Sequence, residues 1–303
     1  MKKIYKVESE FLNTRLDRWF KKKVSDVPQS FIEKNLRKGN IKVNYQKNVS
    51  FYKLQKNDVV SINNLKIVPN KTKKRIERYE PNKNELTYTS SLYIENNENF
   101  AVINKPPGIA VQSGTKSRKN ILDLLRKTKE FINSSPFSVH RIDKETTGVL
   151  IIAKNRKYAQ LFTSLFRIKK IYKTYLGLVI GNIEKKNGTL IDDLYYYEGD
   201  KKIKARAITH FTVIDSKNNY SLLKLNPETG RKHQLRKQLL IYGYPIFGDN
   251  KYNLNNKKNN KKSNLMLHAY KIHFKIGNMK YNFSADLPDY FSKFLKEKYL
   301  KSY

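Results

Sequence analysis

Three polar clusters hold most of the side chains that could do chemistry. The first, His140 to Gly148, reads HRIDKETTG and runs straight into the apolar stretch Val149 to Ala153. A dense polar loop that feeds a buried strand can present its side chains at a sheet edge. The second, Lys173 to Val179, reads KTYLGLV and alternates like a strand, with Tyr175 on one face. The third, Asn226 to Arg236, reads NPETGRKHQLR, a turn that opens a helix. Free backbone N–H groups and basic side chains gather at such a point. Together the clusters offer the carboxylate of Asp143, the phenol of Tyr175, two imidazoles and several guanidinium groups. Singly, each has a plainer reading. Asp143 fits a turn cap, Tyr175 an ordinary strand aromatic, and Arg231, His233 and Arg236 an exposed basic helix face.

Several chemistries are excluded at the outset. The chain has no cysteine, so it has no disulfide, thiol nucleophile or thiolate metal site. Its five histidines show neither HxxxH nor HExxH spacing, so no metal is expected. No G-x-S-x-G elbow is present for Ser-His-Asp catalysis. Gly108 and Gly114 are isolated and form no nucleotide-binding loop, so no nucleotide cofactor is expected.

Charge points to the partner. Lys and Arg number 62 against 26 acids, for a net +36. Such a field attracts a polyanion. A composition rich in Lys, Asn, Ile and Tyr produces a similar excess, so charge alone names no function. The first residues, MKKIYKVESEF, lack the apolar stretch of a signal peptide, and no apolar run nears membrane-spanning length. A cytoplasmic protein without membrane contact is the expectation.

The clusters must be held by a scaffold. From about residue 85 strands outnumber helices and do not alternate with them regularly. That pattern predicts an α+β fold with a mixed, mostly antiparallel sheet over 85–303. Strands are expected at 92–95, 100–104, 149–154, 174–180, 205–214, 220–226, 265–274 and 279–285. Helices are expected near 120–131, 155–167, 231–242 and 288–299. A smaller α/β unit precedes them over 11–68. Leu12, Leu16, Trp19 and Phe20 recur at helical spacing, and a second helix over 29–37, with its N-cap zone at 26–30, stops at Gly39-Asn40. The stretch 69–84 has two prolines and no apolar period, as in a basic linker. Residues 253–264, rich in Asn and Lys, read as a surface loop.

In combination the clusters resemble a known family. HRIDKETTG is similar to the H-R-L-D-x-x-T-S-G motif of RluA-type RNA pseudouridine synthases. Asn104 to Val111, NKPPGIAV, resembles that family's N-K-P-x-G-x-x-V segment. KTYLGLV resembles its K-x-Y-x-A-x-V strand, and NPETGRKHQLR its P-x-T-G-R-x-H-Q-I/L-R segment. Gly243 to Asp249, GYPIFGD, resembles its G-H-P-I-x-x-D. Thr14 to Asp17, Val27 to Ser30, Leu36 to Gly39 and Val43-Asn44 resemble an S-four-like RNA-binding domain. Departures are mild: Thr147 stands for Ser, Gly177 for Ala, and Gln238 and Tyr244 for His. The strand after His268 lacks the family's common His-Pro turn.

The resemblance implies an isomerase that turns uridine into pseudouridine in structured RNA, most of all large-subunit (23S) ribosomal RNA. No atoms are gained or lost, so no cofactor is implied. It assigns Asp143 to ribose C1′, as in retaining glycosidases, with Arg236 as a bidentate partner. It places Tyr175 against the flipped uracil. His140, Arg141, Arg231, His233 and Gln234 are implied RNA contacts near the site, and Arg15, Arg37, Lys38 and Lys42 in the small unit. A monomer is expected. A non-enzymatic ribosome-assembly factor, an N-glycosidase that releases the base, and a synthase acting on transfer RNA are the rival readings.

Overall fold

A computed structural model describes residues 2–63, 65, 79–112, 119–198, 201–254 and 263–301. Most of the expected linker and most of the 253–264 loop lie outside the described residues. The chain divides into two units, Met1–Glu77 and Arg78–Tyr303.

In the first unit, β1 (Lys2–Lys6), α1 (Leu16–Lys23), α2 (Gln29–Lys38), β2 (Ile41–Val43) and β3 (Val59–Asn63) follow in order. The strands form an antiparallel sheet with β3 central, flanked by β1 and β2. Leu16, Trp19 and Phe20 of α1 and Ile32 and Leu36 of α2 close over it. Apolar residues at this spacing fall on one helix face, which is why both helices bury that face. Pro28, inside the expected 26–30 zone, occupies the N-cap of α2, without a side-chain cap bond. The helix ends at Gly39, whose φ of 75° is left-handed. The unit also takes in β1, ahead of the helical pattern that begins at residue 12.

The second unit contains α3 (Lys83–Ser90), β4 (Tyr93–Asn96), β5 (Phe100–Lys105), α4 (Ile121–Leu125), β6 (Phe137–Ser138) and β7 (Thr147–Ala153). Then come α5 (Arg156–Arg167), β8 (Ile171–Ile180), β9 (Asn187–Glu198), β10 (Lys201–Lys217), β11 (Tyr220–Pro227) and α6 (Gln234–Ile241). The C-terminal elements are β12 (Leu267–Ile276), β13 (Met279–Ser284) and α7 (Asp289–Glu297). One sheet runs in the order β4-β5-β7-β12-β8-β11-β10-β9, with β13 on β12 and β6 on β7. Among the described strands, only β7 and β12 pair in parallel. The expected α+β class with a mostly antiparallel sheet is what the chain adopts.

The strand β7 shows why this sheet forms. Every residue in TGVLIIA is buried. Leu150 and Ile152 pack with Ile121 and Leu125 of α4, while Val149, Ile151 and Ala153 pack with Phe162 of α5. A strand covered on both faces reads as a continuous apolar run. Gly148 sits where it enters the sheet. Its φ is +107°, and a Cβ there would lie 2.2 Å from the Ala269 carbonyl oxygen of β12. Only glycine allows that close parallel approach.

Three elements of the second unit were not expected: α3, the two-residue β6 and β9. Helix α3 begins inside the stretch read as a linker, closed by a capping box between Asn82 and Glu85. The strand β9 was not foreseen. It is an edge strand of the sheet, paired only with β10 among the described residues.

Candidate active site

A cavity of about 610 Å³ opens in the second unit, and Asp143, Tyr175 and Arg236 all line it. Each comes from a different element. Asp143 lies in the loop between β6 and β7, where its carbonyl accepts from Thr146 N at 3.2 Å in a tight turn. Tyr175 is on β8, and Arg236 is in the first turn of α6. β12 lies between β7 and β8 and pairs with both, so it sets the separation of the Asp143 loop from Tyr175.

The Asp143 loop is braced from below. Lys105, fully buried at the end of β5, donates from Nζ to the carbonyls of Pro106 (2.7 Å), Ile109 (3.0 Å) and Lys144 (3.0 Å). Burial pulls its ammonium down to about 7, while Glu145 and Asp143 pull it upward. Three carbonyl acceptors use three N–H donors, which only the charged form supplies. Thr147 Oγ1 bonds His268 Nδ1 at 2.8 Å, and His268 Nε2 reaches the Ala285 carbonyl at 3.0 Å. The hydroxyl that stands for serine is therefore spent inside the fold.

Arg236 is held differently from expectation. Its fork is turned to Asp249: Nε donates to Oδ2 at 2.7 Å and Nη2 to Oδ1 at 2.8 Å. Asp143 receives one bond, from Nη1 to Oδ2 at 3.1 Å. The bidentate partner is thus Asp249, which takes the Nε–Nη2 edge of the guanidinium and leaves Nη1 for Asp143. Burial works against the Arg236 charge. The bonds and charges of Asp249 and Asp143 outweigh that and hold the guanidinium above its usual range. The Tyr252 ring lies 4.9 Å below its Cζ. His233 stands on the other side of the carboxylate, with Nε2 3.8 Å from Asp143 Oδ1.

Tyr175 packs its ring against both neighbouring cores while lining the cavity. Burial, reinforced by the charge of Asp143, pushes its phenol well above the usual value. Gly177, two residues on, faces Leu225, whose Cδ1 lies 3.0 Å from where a Cβ would stand. The alanine expected there would crowd that leucine.

The expected RNA contacts divide. Arg141 is exposed at the cavity mouth. Arg231 is exposed too, with Nε donating to the Arg206 carbonyl at 3.1 Å. Gln234 does not belong with them. It is buried, its Nε2 donates to the Ile208 carbonyl and Thr209, and its Oε1 accepts from Thr229 and Arg231 N. Nothing of its amide is left for RNA, and it fastens the 226–236 turn to β10. His140 stacks on Phe166 at 4.7 Å, and its Nε2 accepts from Ile151 N at 2.9 Å. Burial, with help from Lys173, drops its pKa to about 3, so it sits neutral as a brace for the loop. Gln238, where histidine was expected, is buried and bonds Thr209, Asp192 and two carbonyls.

In the first unit Arg37, Lys38 and Lys42 gather around the Gly39 turn, the first two exposed. Arg15 is committed elsewhere: its Nε and Nη2 grip the buried Asp17 at 3.1 and 2.5 Å. Among the described residues no group of three or more His, Asp or Glu is arranged to hold a metal.

Comparison with known proteins places this geometry. Residues 99–240 match the family model for RNA pseudouridylate synthase. A protein of Buchnera aphidicola (Acyrthosiphon pisum strain APS) named ribosomal large subunit pseudouridine synthase C is 33% identical over 282 residues, covering 88% of each chain. The chain belongs to the RNA pseudouridylate synthase family. A synthase of the same name from Rickettsia felis is 34% identical over 93% of this chain and 95% of its own. Human RNA pseudouridylate synthase domain containing 4 shares the fold, with a TM-score of 0.63 at 24% identity over 72% of this chain and 98% of its own. As an RNA pseudouridine synthase, the protein is an isomerase. The matched segment runs from β5 to α6 and includes Asp143, Tyr175 and Arg236. Asp249 and Tyr252 lie beyond it, and no role was expected of either or of Lys105.

Proposed function

We propose that this synthase isomerises uridines of large-subunit ribosomal RNA, with Asp143 acting at ribose C1′. The observation that carries the reading is the Arg236–Asp143 contact at 3.1 Å inside a cavity walled by Tyr175. The bond from C1′ to N1 breaks, the base turns, and C5 joins C1′. N1 gains a proton and C5 loses one, so atoms balance without a cofactor. Positive charge develops at the sugar as C1′–N1 breaks. A carboxylate beside C1′ either bonds to it or removes a sugar proton. Arg236 bonds Oδ2 of Asp143, which leaves Oδ1 as the oxygen to act at the sugar.

The target base must leave its stack to reach this depth. Tyr175 provides a flat wall for the uracil. Its raised phenol pKa disfavours a phenolate base, so stacking is its main task. Arg141 at the mouth suits the flipped strand's phosphates. The Arg37, Lys38 and Lys42 cluster serves as a second RNA contact, a role that the S-four-like motifs support. The enzyme acts as a monomer in the cytoplasm, where a chain without cysteine meets no demand for disulfides.

Mapping pseudouridine in ribosomal RNA from cells with the wild-type gene, no gene, or Asp143→Asn tests this. Particular 23S positions should lose the modification in both altered strains. Unchanged 23S maps would refute the substrate, and full modification by Asp143→Asn would refute the site.

A further inference from the structure

His233 has a backbone that few histidines adopt. Its φ is 54° and ψ 34°, in the left-handed region, at the N-cap of α6. A residue with a Cβ is strained in that region, and such strain persists where the surroundings impose it. The strain turns the imidazole toward the acid. Nε2 lies 3.8 Å from Asp143 Oδ1, and Nδ1 lies 2.8 Å from the Tyr252 hydroxyl.

Tyr252 is itself fixed at three points. Its backbone N–H donates to Asp249 Oδ1 at 2.9 Å. Its ring lies under the Arg236 guanidinium and meets the His233 ring edge-on at 5.5 Å. Asp249 is fully buried and also accepts from Lys251 N, so one carboxylate anchors the tyrosine and Arg236 together. The turn that presents it needs Gly248, with φ +79° and the Asn264 carbonyl oxygen 2.0 Å from a would-be Cβ.

We propose that Tyr252 and His233 are a positioning pair for Asp143: the Tyr252 O–H donates to His233 Nδ1, fixing the tautomer whose Nε2–H faces Asp143 Oδ1. The inference rests on Asp143 being the reacting carboxylate. Each half of that carboxylate then has its own keeper. Arg236 holds Oδ2, and His233 stands by Oδ1, the oxygen left for the sugar. The opposite tautomer would aim a lone pair at a carboxylate, which is repulsive. Burial holds the imidazole below its usual pKa against the upward pull of Asp143, aided by Arg236, Lys251 and Lys232, so one ring nitrogen carries the proton near neutral pH. Burial likewise raises the Tyr252 phenol, which stays protonated and able to donate. The 3.8 Å gap is too long for a hydrogen bond in the free enzyme. Contacts of this kind tighten when substrate closes the site.

The test uses the full-length enzyme and a 23S RNA transcript. Single-turnover rates, RNA affinity and melting temperature are measured for Tyr252→Phe, His233→Asn and the double variant. Phenylalanine keeps the ring under Arg236, and asparagine tolerates a positive φ while falling short of Asp143. Tyr252→Phe should slow the chemical step about threefold to tenfold, the worth of one hydrogen bond, with RNA affinity unchanged. The double variant should be no slower than His233→Asn alone, because Tyr252 acts only through His233. A wild-type rate in Tyr252→Phe, losses that multiply in the double variant, or a loss matched by weaker RNA binding or a lower melting temperature would each overturn the proposal. Asp143→Asn, assayed in parallel, separates the two readings. If it is active, the site reading fails; if it is inactive while Tyr252→Phe is normal, only the positioning pair fails.

Discussion

Replacing Arg236 by leucine should damage the fold as well as the chemistry. The Arg236 side chain is 9% exposed and that of Asp249 is 0%. Without the guanidinium, the Asp249 carboxylate stays buried with only the N–H groups of Lys251 and Tyr252 for partners among the described residues. Breaking a buried pair by removing one member costs about 3–5 kcal/mol. For a unit the size of Arg78–Tyr303, that lowers the melting temperature by roughly 6–20 °C. Adding Asp249→Asn should restore much of the loss, since an amide oxygen still accepts from those N–H groups and carries no charge. Activity should stay absent in both variants, because the bond to Asp143 is gone in each. Circular-dichroism melts and single-turnover assays read the two effects separately. A fall below about 2 °C for Arg236→Leu, or a double variant no more stable than the single, would refute the account of Asp249 as a buried anchor.

Other outcomes follow from named contacts. Gly148→Ala should cost about 2–5 kcal/mol, since it sets a Cβ against the Ala269 backbone at a positive φ; denaturant titration checks it. His268 is buried neutral, with burial dropping its pKa to about 4 against the pull of the Ala285 carbonyl and Asp286. The unfolded chain takes up that proton near pH 6.5, so stability should be full above 6.5 and fall toward pH 4. His268→Gln should flatten that part of a melting-temperature profile, and an unchanged slope would contradict the assignment. Arg37→Ala and Lys38→Ala should each reduce the slope of log affinity against log salt by about 0.7–0.9 for a transcript of 23S RNA, measured by filter binding.

Much of the site was legible because its residues lie in short polar segments between apolar runs. HRIDKETTG stands out before a seven-residue buried strand, and the NPETGRKHQLR turn opens a helix as its Gly and Thr suggest. The limits were of two kinds. Hydrogen-bond partners are tertiary facts: nothing in the spacing tells that the fork of Arg236 meets Asp249, thirteen residues on, rather than Asp143. Likewise Gln234 looks like an RNA donor until β10 is seen to consume its amide. The other kind concerns elements with weak periodicity. α3 buries only Thr89, and β9 interrupts its apolar pattern with Asp192-Asp193 while Ile191, Tyr195 and Tyr196 remain exposed. Half-wet elements give little alternation, so they read as linker or loop.

The place of β12 has a consequence for how the enzyme is made. β7 and β8 follow one another in the chain, but they are not neighbours in the sheet, because β12 is inserted between them. Residues 181–266 must be synthesised between the end of β8 and the start of β12. At about 5–20 residues per second, that takes on the order of 4–17 seconds on the ribosome. Throughout that interval the ladder that spaces Asp143 from Tyr175 is open. A nascent chain therefore emerges beside ribosomal RNA without a working site, and the catalyst is completed only when β12, late in the chain, arrives between β7 and β8.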